Sequence, residues 1–225
     1  MSRYIIKSNK GVTLLGGARV GASDLAQALA LAPCLVAADG GADRALALGH
    51  MPEAVIGDFD SISPAARAAI APERLHPIAE QDSTDFGKCL RHVAAPFYLA
   101  LGFSGGRLDH TLAALSELAA RPHQTVVLIG SEDVAFRAPA ELALDLAPGT
   151  RLSLYPMGRV RGRSTGLRWP IEGLALAPAG RIGTSNEATG PVQITASGPL
   201  LVLLPRRCLD VALAGLRLPP PVRGE

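Results

Sequence analysis

The stretch VIGDFDSI, residues 55–62, contains the pattern that sets the fold of this chain. An apolar run ends at Gly57, and Asp58 and Asp60 follow two residues apart. A short apolar run bounded by glycine is typical of a buried strand. Neither carboxylate tolerates burial without compensation. The end of this strand therefore predicts a site for a metal ion, a basic side chain or water.

The same alternation of apolar runs with alanine- and leucine-rich helical runs extends from residue 12 to about residue 137. Strands that alternate with helices are typical of a mostly parallel sheet covered on both faces. We therefore expect a Rossmann-like α/β domain with helices on both faces of its sheet. The expected strands are residues 12–15, 34–38, 54–56, 97–101 and 125–129.

The pattern changes after Pro139. Short apolar runs separated by glycine and proline occur at residues 152–155, 174–176, 192–195 and 200–204, and one helical run covers residues 209–216. This spacing predicts a smaller antiparallel β domain, which we expect to be a β-sandwich. The predicted domains are residues 1–140 and 141–225.

Composition excludes several classes of protein. A hydrophobic content of 48% supports a packed core, and a net charge of +2 gives no electrostatic footprint for nucleic acid or an anionic membrane. The three cysteines show no CxxC spacing, which favours reduced thiols. Because no secretory leader or membrane-spanning segment is recognisable, we expect a cytoplasmic protein.

Polar segments follow the predicted strands at their carboxyl ends, where ligands bind in open α/β sheets. Three of them follow strands, and a fourth opens a helix. These segments contain Asp39-Gly40-Gly41, Asp58-Phe59-Asp60-Ser61, Gly105-Gly106-Arg107-Leu108-Asp109 and Asp82-Ser83-Thr84-Asp85-Phe86-Gly87-Lys88. We expect them to converge on one cleft.

The chemistry of these segments favours a metal and a phosphate. Asp58 and Asp60 point the same way if the strand continues through them, and Asp82 as N-cap would share a helix face with Asp85. Carboxylates gathered in this way repel each other, and Mg²⁺ resolves that conflict with its preference for oxygen ligands. Lysine and arginine supply positive charge for phosphate oxygens, and glycines let backbone N–H groups face the same anion.

Each segment also has a simpler explanation. Asp39 before two glycines is a common turn residue, Asp58 and Asp60 are possible helix caps, and aspartates near a helix start favour the helix dipole. Arg107 can simply pair with Asp109. The occurrence of all four segments together at strand ends favours the functional interpretation.

Four of these motifs resemble, in order and spacing, those of the thiamine pyrophosphokinase family: ADGGADRAL (38–46), VIGDFDSI (55–62), DSTDFGKCL (82–90) and GFSGGRLDHTLAAL (102–115). Two motifs of the second half, GLRWPI (166–171) and TSNE (184–187), are similar to that family as well. The resemblance covers residues 12 to 204. Asp43 departs from the family pattern, where asparagine is common, and Phe86-Gly87 replaces more polar residues.

The resemblance implies an enzyme that transfers the pyrophosphoryl group of ATP to the hydroxyethyl oxygen of thiamine, giving thiamine diphosphate and AMP. It implies a homodimer whose active site lies between the α/β domain of one subunit and the β domain of the other. By motif, Mg²⁺ would be held by Asp58, Asp60, Asp85 and Asp109, with Asp82, Thr84 and Arg107 also in the catalytic set. ATP would be bound by Asp39, Gly40, Gly41, Ser61, Lys88, Gly105, Gly106 and Arg107, and thiamine by Trp169, Ser185 and Asn186.

Three other functions stay open at this point. A Mg²⁺-dependent pyrophosphokinase acting on another alcohol, such as a pterin, would share the acidic cleft but not need the GLRWPI and TSNE segments. A phosphatase of the haloacid dehalogenase type would use the first aspartate of DFDSI as a nucleophile, although Ile62 lies one place too late for that motif. A non-catalytic thiamine or nucleotide sensor would not require so many acids.

Overall fold

The computed structural model describes residues 4–218, which form two compact units divided between Glu117 and Leu118. This division lies inside the helix Leu108–Ala120. The predicted domain boundary at residue 140 stays a prediction, and the ends of both predicted domains, residues 1–3 and 219–225, lie outside the described residues.

The strands of the first unit pair in parallel, as the alternating pattern predicts. β1 pairs with β6, β2 with β7, and β4 with both β3 and β5. Burial of every residue in β2, β4 and β7 explains why these strands read as continuous apolar runs. The strands are β1 (Ile6–Lys7), β2 (Val12–Leu15), β3 (Cys34–Ala38), β4 (Ala54–Gly57), β5 (Leu75–Pro77), β6 (Val93–Ala94) and β7 (Tyr98–Leu101).

Helices separate these strands along the chain, which gives the mixed α/β fold. They are α1 (Ala22–Leu31), α2 (Gly41–Ala47), α3 (Pro64–Ala69), α4 (Asp85–His92) and α5 (Leu108–Ala120), with a 3₁₀ turn at Pro72–Arg74. The expected N-cap at Asp82 is wrong. Thr84 is extended and its side chain accepts the Gly87 N–H at 3.1 Å, so Thr84 is the N-cap and α4 starts two residues later than expected.

A cluster of apolar side chains supports the turn after β4. Ile62 of that turn is buried together with Val55 of β4 and Ala66 of α3, and Phe59 packs partly buried against the same cluster. Burial of this kind stabilises each large apolar side chain by about 1.5–3 kcal/mol. The aspartates of VIGDFDSI are thus carried on a turn whose apolar residues are anchored in the core.

The second unit is built from antiparallel strands, as its sequence pattern predicts. In order of pairing, β8 lies beside β9, then β15, β11, β14, β12 and β13, and β10 also pairs with β14. The strands are β8 (Val126–Ile129), β9 (Asp133–Arg137), β10 (Glu141–Leu144), β11 (Arg151–Pro156), β12 (Val160–Leu167), β13 (Ala175–Leu176), β14 (Gly183–Ser197) and β15 (Leu200–Pro205). The unit ends with a 3₁₀ turn, Arg206–Cys208, and α6 (Leu209–Gly215).

The long strand β14 changes partners along its length. Residues 183–187 pair with β11, and residues 188–197 pair with β12 and, over four positions, with β10. The register to β11 shifts between Leu152 and Leu154, opposite Ser185, whose φ is 57°. An interruption of this kind is a β-bulge, which bends the strand and redirects its side chains.

Two further observations concern the cysteines and the helices. Cys34, Cys89 and Cys208 all carry free thiols. Among residues 4–218, no helix has the length and apolar character needed to span a bilayer.

Candidate active site

The loops at the carboxyl ends of β2, β3, β4 and β7 approach one another through glycines. A Cβ on Gly16, after β2, would lie 2.5 Å from the carbonyl oxygen of Gly102, after β7. A Cβ on Gly41 would lie 2.0 Å from the Leu15 oxygen, and one on Gly40 would lie 3.3 Å from Ser61 Cβ. Larger residues would push these loops apart, so the glycines are needed for the loops to meet. The predicted convergence is confirmed for residues 39–41 and 58–61, which meet directly, and the loop after β2 links the first of these segments to the loop after β7.

The turn at Asp58 and Asp60 brings the two carboxylates together in an unexpected way. β4 ends at Gly57, and Phe59 takes a left-handed conformation with φ of 65°. The Asp60 N–H donates to Asp58 Oδ1 at 3.3 Å. The expectation that an extended strand aligns these side chains is therefore wrong, because a tight turn aligns them instead.

Asp39 fastens this turn from the end of β3. It is 1% exposed, and its two carboxylate oxygens accept the backbone N–H groups of Ser61 at 3.2 Å and Ile62 at 2.9 Å. Its own φ of 44° places it in the left-handed region, which aspartate tolerates better than most residues. Asp39 therefore holds the turn in place.

Asp39, Asp58 and Asp60 form a group suited to a divalent cation. One carboxylate oxygen from each lies within 4.8 Å of the others. Their oxygens are the hard donors that Mg²⁺ prefers, and the increasing exposure from Asp39 through Asp58 to Asp60 leaves one side open for water and phosphate. Of the four predicted metal ligands, Asp58 and Asp60 belong to this group.

Lys88 connects this group to Asp85. Its side chain is 1% exposed, and Nζ lies 3.1 Å from Asp58 Oδ2 and 3.0 Å from Asp85 Oδ1. Helix α4 supplies both Asp85 and Lys88 one turn apart, and Asp58 comes from the turn after β4. Lys88 was predicted to contact ATP; in the structure its ammonium group bridges two carboxylates.

The acids of this cluster differ in proton affinity because their surroundings differ. Burial, reinforced by the charge of Asp85, raises the pKa of Asp39 to about 6, although the N–H groups of Ser61 and Ile62 oppose the rise. Burial also raises the pKa of Asp85, which Lys88 offsets only in part. Desolvation acts on Asp58 as well, but the hydrogen bonds it accepts, led by that from Lys88, lower its pKa.

Three residues around the cluster were missed by the sequence analysis. Asp43 accepts hydrogen bonds from both the N–H and the hydroxyl of Ser63, the N-cap of α3. Gln81 donates to Asp58 Oδ2 at 3.1 Å. Glu80 accepts the Asp82 N–H at 3.0 Å. Of the three, only Asp43 could have been found from the sequence, because it stands where the family pattern commonly has asparagine.

The remaining predicted residues of the first unit lie on exposed segments. Thr84 and Asp82 are exposed at the start of α4, and Gly105 and Gly106 are exposed after β7. Arg107 pairs with Asp109, with Nη2 2.5 Å from Oδ2, and this bonding lowers the pKa of Asp109 to about 2. Asp109 is therefore paired with Arg107, as the simpler alternative had it.

The predicted thiamine-binding residues lie in the second unit and differ sharply in their exposure to solvent. Trp169 is 53% exposed, with the Arg168 guanidinium carbon 4.9 Å from its ring centroid. Ser185 is exposed, whereas Asn186 is 5% exposed and hydrogen-bonded to the backbone of Trp169.

Comparisons with known proteins agree with this geometry. The family model for the thiamin pyrophosphokinase catalytic domain matches residues 25–129. Thiamine pyrophosphokinase 1 of Oryza sativa subsp. japonica is 28% identical over 203 residues, covering 74% of this chain and 76% of the relative. Thiamin pyrophosphokinase 1 of Caenorhabditis elegans is 29% identical over 174 residues, covering 68% and 71%.

A solved structure gives the same result for the fold. The thiamin pyrophosphokinase from Candida albicans superposes with a TM-score of 0.75 at 17% identity, covering 90% of this chain and 93% of that one. The matched catalytic model spans the strand-end carboxylates, and the structural match extends over both units. The chain is therefore similar to the catalytic domain of thiamine pyrophosphokinases over residues 25–129 and shares the fold of a solved member of that family.

Proposed function

We propose that this protein transfers the pyrophosphoryl group of ATP to the hydroxyethyl oxygen of thiamine, giving thiamine diphosphate and AMP. The observation that carries the proposal is the meeting of Asp39, Asp58 and Asp60 within 4.8 Å, at strand ends of the segment that matches the thiamin pyrophosphokinase catalytic domain. Bringing so many carboxylates together costs stability unless a cation is bound there.

Asp58 and Asp60 are the residues we assign to Mg²⁺, and Asp39 is the buried third carboxylate of the group. Bound there, Mg²⁺ neutralises the charge of the triphosphate and polarises the phosphoryl oxygens. Asp39 acts mainly through the turn, since both its oxygens accept backbone N–H groups. Arg107 and Asp109 form an exposed ion pair with each other. This ion pair has to break before Asp109 can bind the metal or Arg107 can bind phosphate.

Asp85 is the residue we assign as the general base. Its Oδ1 is held by Lys88, and its raised pKa makes it a better proton acceptor than an ordinary aspartate. The alcohol oxygen of thiamine bonds to the β-phosphorus, the bond from that phosphorus to the oxygen bridging to the α-phosphate breaks, and AMP leaves. The hydroxyl proton passes to Asp85 Oδ2.

The positioning of the two substrates supplies most of the remaining rate. Gly40, Gly41, Ser61, Gly105 and Gly106 are assigned to ATP, together with Thr84 and Asp82 at the exposed start of α4. Trp169 and Ser185 are assigned to thiamine. In this proposal the protein is a cytoplasmic homodimer, the second unit is a β-sandwich, and each active site receives its thiamine-binding residues from the partner subunit.

Product analysis by mass tests the proposal. Purified protein incubated with ATP, Mg²⁺ and thiamine should form thiamine diphosphate and AMP in equal amounts, and omission of thiamine should abolish AMP formation. Formation of thiamine monophosphate and ADP would overturn pyrophosphoryl transfer. A parallel reaction with a hydroxymethyl pterin tests the acceptor, since turnover with the pterin alone would overturn thiamine as substrate.

A further inference from the structure

We propose that Asn186 is a positioning residue, whose side-chain amide holds the backbone of Trp169 and so fixes the indole face on which a cationic aromatic substrate stacks. This inference rests on the proposed function for the identity of the substrate. It replaces the role in direct thiamine contact that the sequence motif implies for Asn186.

The side-chain amide of Asn186 is fully engaged with backbone. Oδ1 accepts the N–H of Trp169 at 3.2 Å and the N–H of Glu187 at 2.8 Å. Nδ2 donates to the carbonyl oxygen of Trp169 at 2.7 Å. Rotating the amide by 180° would place Nδ2 against two donors and Oδ1 against a carbonyl, so the contacts permit only one orientation. At 5% exposure, the side chain is committed to Trp169 and Glu187.

The bulge in β14 explains why a side chain, and not the backbone of β14, forms hydrogen bonds with the backbone of Trp169. The ladder between β12 and β14 reaches Leu167, which pairs with Ala188, and the Arg168 N–H still donates to the Glu187 oxygen at 2.9 Å. Continued pairing would set Trp169 opposite Asn186, but Ser185 bends the strand with its φ of 57°. The Asn186 side chain then supplies the donor and acceptor that an extended strand would have supplied.

Trp169 is held at its backbone while its ring stays accessible. Pro170 follows it and restricts it to extended conformations. The Arg168 guanidinium covers one face of the ring and lies 3.7 Å from the Glu187 carboxylate, which offsets its charge. We assign the substrate to the opposite face, where a cationic ring gains both stacking and cation–π attraction.

The same segment offers a matched control. Ser164 is 7% exposed, and its hydroxyl accepts the N–H of Ile171, two residues beyond Trp169, at 3.1 Å. Ser164→Ala therefore removes a buried side-chain-to-backbone bond from the same segment without touching Trp169. We call the two hydrogen bonds between the Asn186 side chain and the Trp169 backbone the clamp. An effect found in Asn186→Ala and absent from Ser164→Ala is specific to the clamp and does not reflect general loosening of the segment.

The experiment combines steady-state kinetics with fluorescence, since Trp169 is the only tryptophan of the chain. Without ligand, Asn186→Ala should lower the tryptophan anisotropy and Ser164→Ala should leave it unchanged. With ATP and Mg²⁺ saturating, Asn186→Ala should raise the KM for thiamine about tenfold while kcat changes less than about twofold. In a Trp169→Ala background, Asn186→Ala should change that KM by less than about twofold, because the residue acts only through the indole.

Two results would overturn the inference. Additive effects of Asn186→Ala and Trp169→Ala on the KM would show that Asn186 contacts the substrate itself. Unchanged anisotropy in Asn186→Ala would show that the clamp does not fix the ring. A wild-type protein that does not bind thiamine would overturn the proposed function, and the ligand-free anisotropy would then still decide whether the clamp exists.

Discussion

Gly57 and Asp39 lie so close together that a methyl group added to Gly57 would sit 2.8 Å from Asp39 Cβ. The same methyl group would lie 3.2 Å from Asp85 Oδ1. The last residue of β4 is therefore packed directly against two carboxylates of the site. Only glycine fits at this position without moving one of them.

Gly57→Ala should consequently damage catalysis more than stability. We expect kcat/KM to fall about 100-fold, because carboxylate positions shift by several tenths of an ångström, with about 1–3 kcal/mol lost in the free energy of unfolding. Kinetics and urea unfolding measure the two effects. Gly180→Ala is the control, since its Cβ would meet only Ala177 at 3.7 Å or more and should leave both quantities unchanged. Normal kinetics in Gly57→Ala would contradict the close packing.

Asp60→Asn should abolish turnover and leave the fold intact. Asp60 is exposed, so loss of its charge costs little stability, but it removes a hard anionic oxygen from the proposed metal site. We expect kcat to fall at least about 100-fold and the affinity for Mg²⁺, measured by calorimetry with the metal alone, to weaken. Glu73→Gln, an exposed acid of the 3₁₀ turn, should behave as wild type. A near-normal kcat in Asp60→Asn would remove Asp60 from the metal site.

Lys88→Met should be less stable in the absence of a divalent cation. Removal of the buried ammonium leaves Asp58 and Asp85 repelling each other at the end of β4, and we expect a loss of about 1–3 kcal/mol. Mg²⁺ should restore more stability to this variant than to wild type, because it replaces the missing positive charge. Thermal unfolding with EDTA and with Mg²⁺ measures the difference. Equal stabilisation of both proteins by Mg²⁺ would contradict the proposed site.

The raised pKa of Asp39 predicts a pH dependence of stability in metal-free protein. Between its unfolded value of 3.8 and its folded value of about 6, the native state binds more protons than the unfolded state. The contribution of Asp39 to the free energy of unfolding is therefore fully present below about pH 4 and is lost as the pH rises through 6.

Urea unfolding in EDTA at pH 4.5 and 7.5 measures this contribution. We expect a difference of about 1–2 kcal/mol, allowing for solvent screening at the turn. Asp39→Asn should be less stable at both values, since one backbone N–H loses its acceptor, but its dependence on pH should be flatter than that of wild type. An equally steep dependence in the variant would assign the titration to another group.

Asp43 should matter for the turn and not for the chemistry. Asp43→Asn keeps one acceptor for Ser63 and should change stability by less than about 1 kcal/mol, whereas Asp43→Ala leaves Ser63 without both bonds and should cost about 1–2 kcal/mol. Thermal unfolding and kcat are the measurements. A loss of kcat in Asp43→Asn without a loss of stability would place Asp43 in the catalytic set.

Strands β2, β3, β4 and β7 of the first unit were predictable because nearly all of their residues are buried. The bounds of β2 and β3 match the sequence prediction at both ends, since burial on both faces selects a continuous apolar run. β12 was missed because arginines and glycines break its alternation, and Gly162 is required there by the Thr195 oxygen, 2.3 Å from where its Cβ would lie.

The site was predictable in its residues but not in its contacts. The meeting of Asp58 and Asp60 depends on the left-handed conformation of Phe59, which no local pattern indicates. The burial of Lys88 was equally hidden, because a lysine on a helix start is usually exposed and free to meet a ligand. Tertiary packing decides which polar groups face the cleft and which form hydrogen bonds or ion pairs within the protein.

The bond between Asn186 and Trp169 has a consequence for how these positions vary in evolution. The backbone of residue 169 is held by the side chain of residue 186, so a change at 186 removes the hydrogen-bond partner of both the N–H and the carbonyl oxygen of Trp169. The two positions should therefore be inherited as a pair among related proteins, although they lie 17 positions apart along the chain. A relative that lacks asparagine at one is expected to have rebuilt the loop that carries the other.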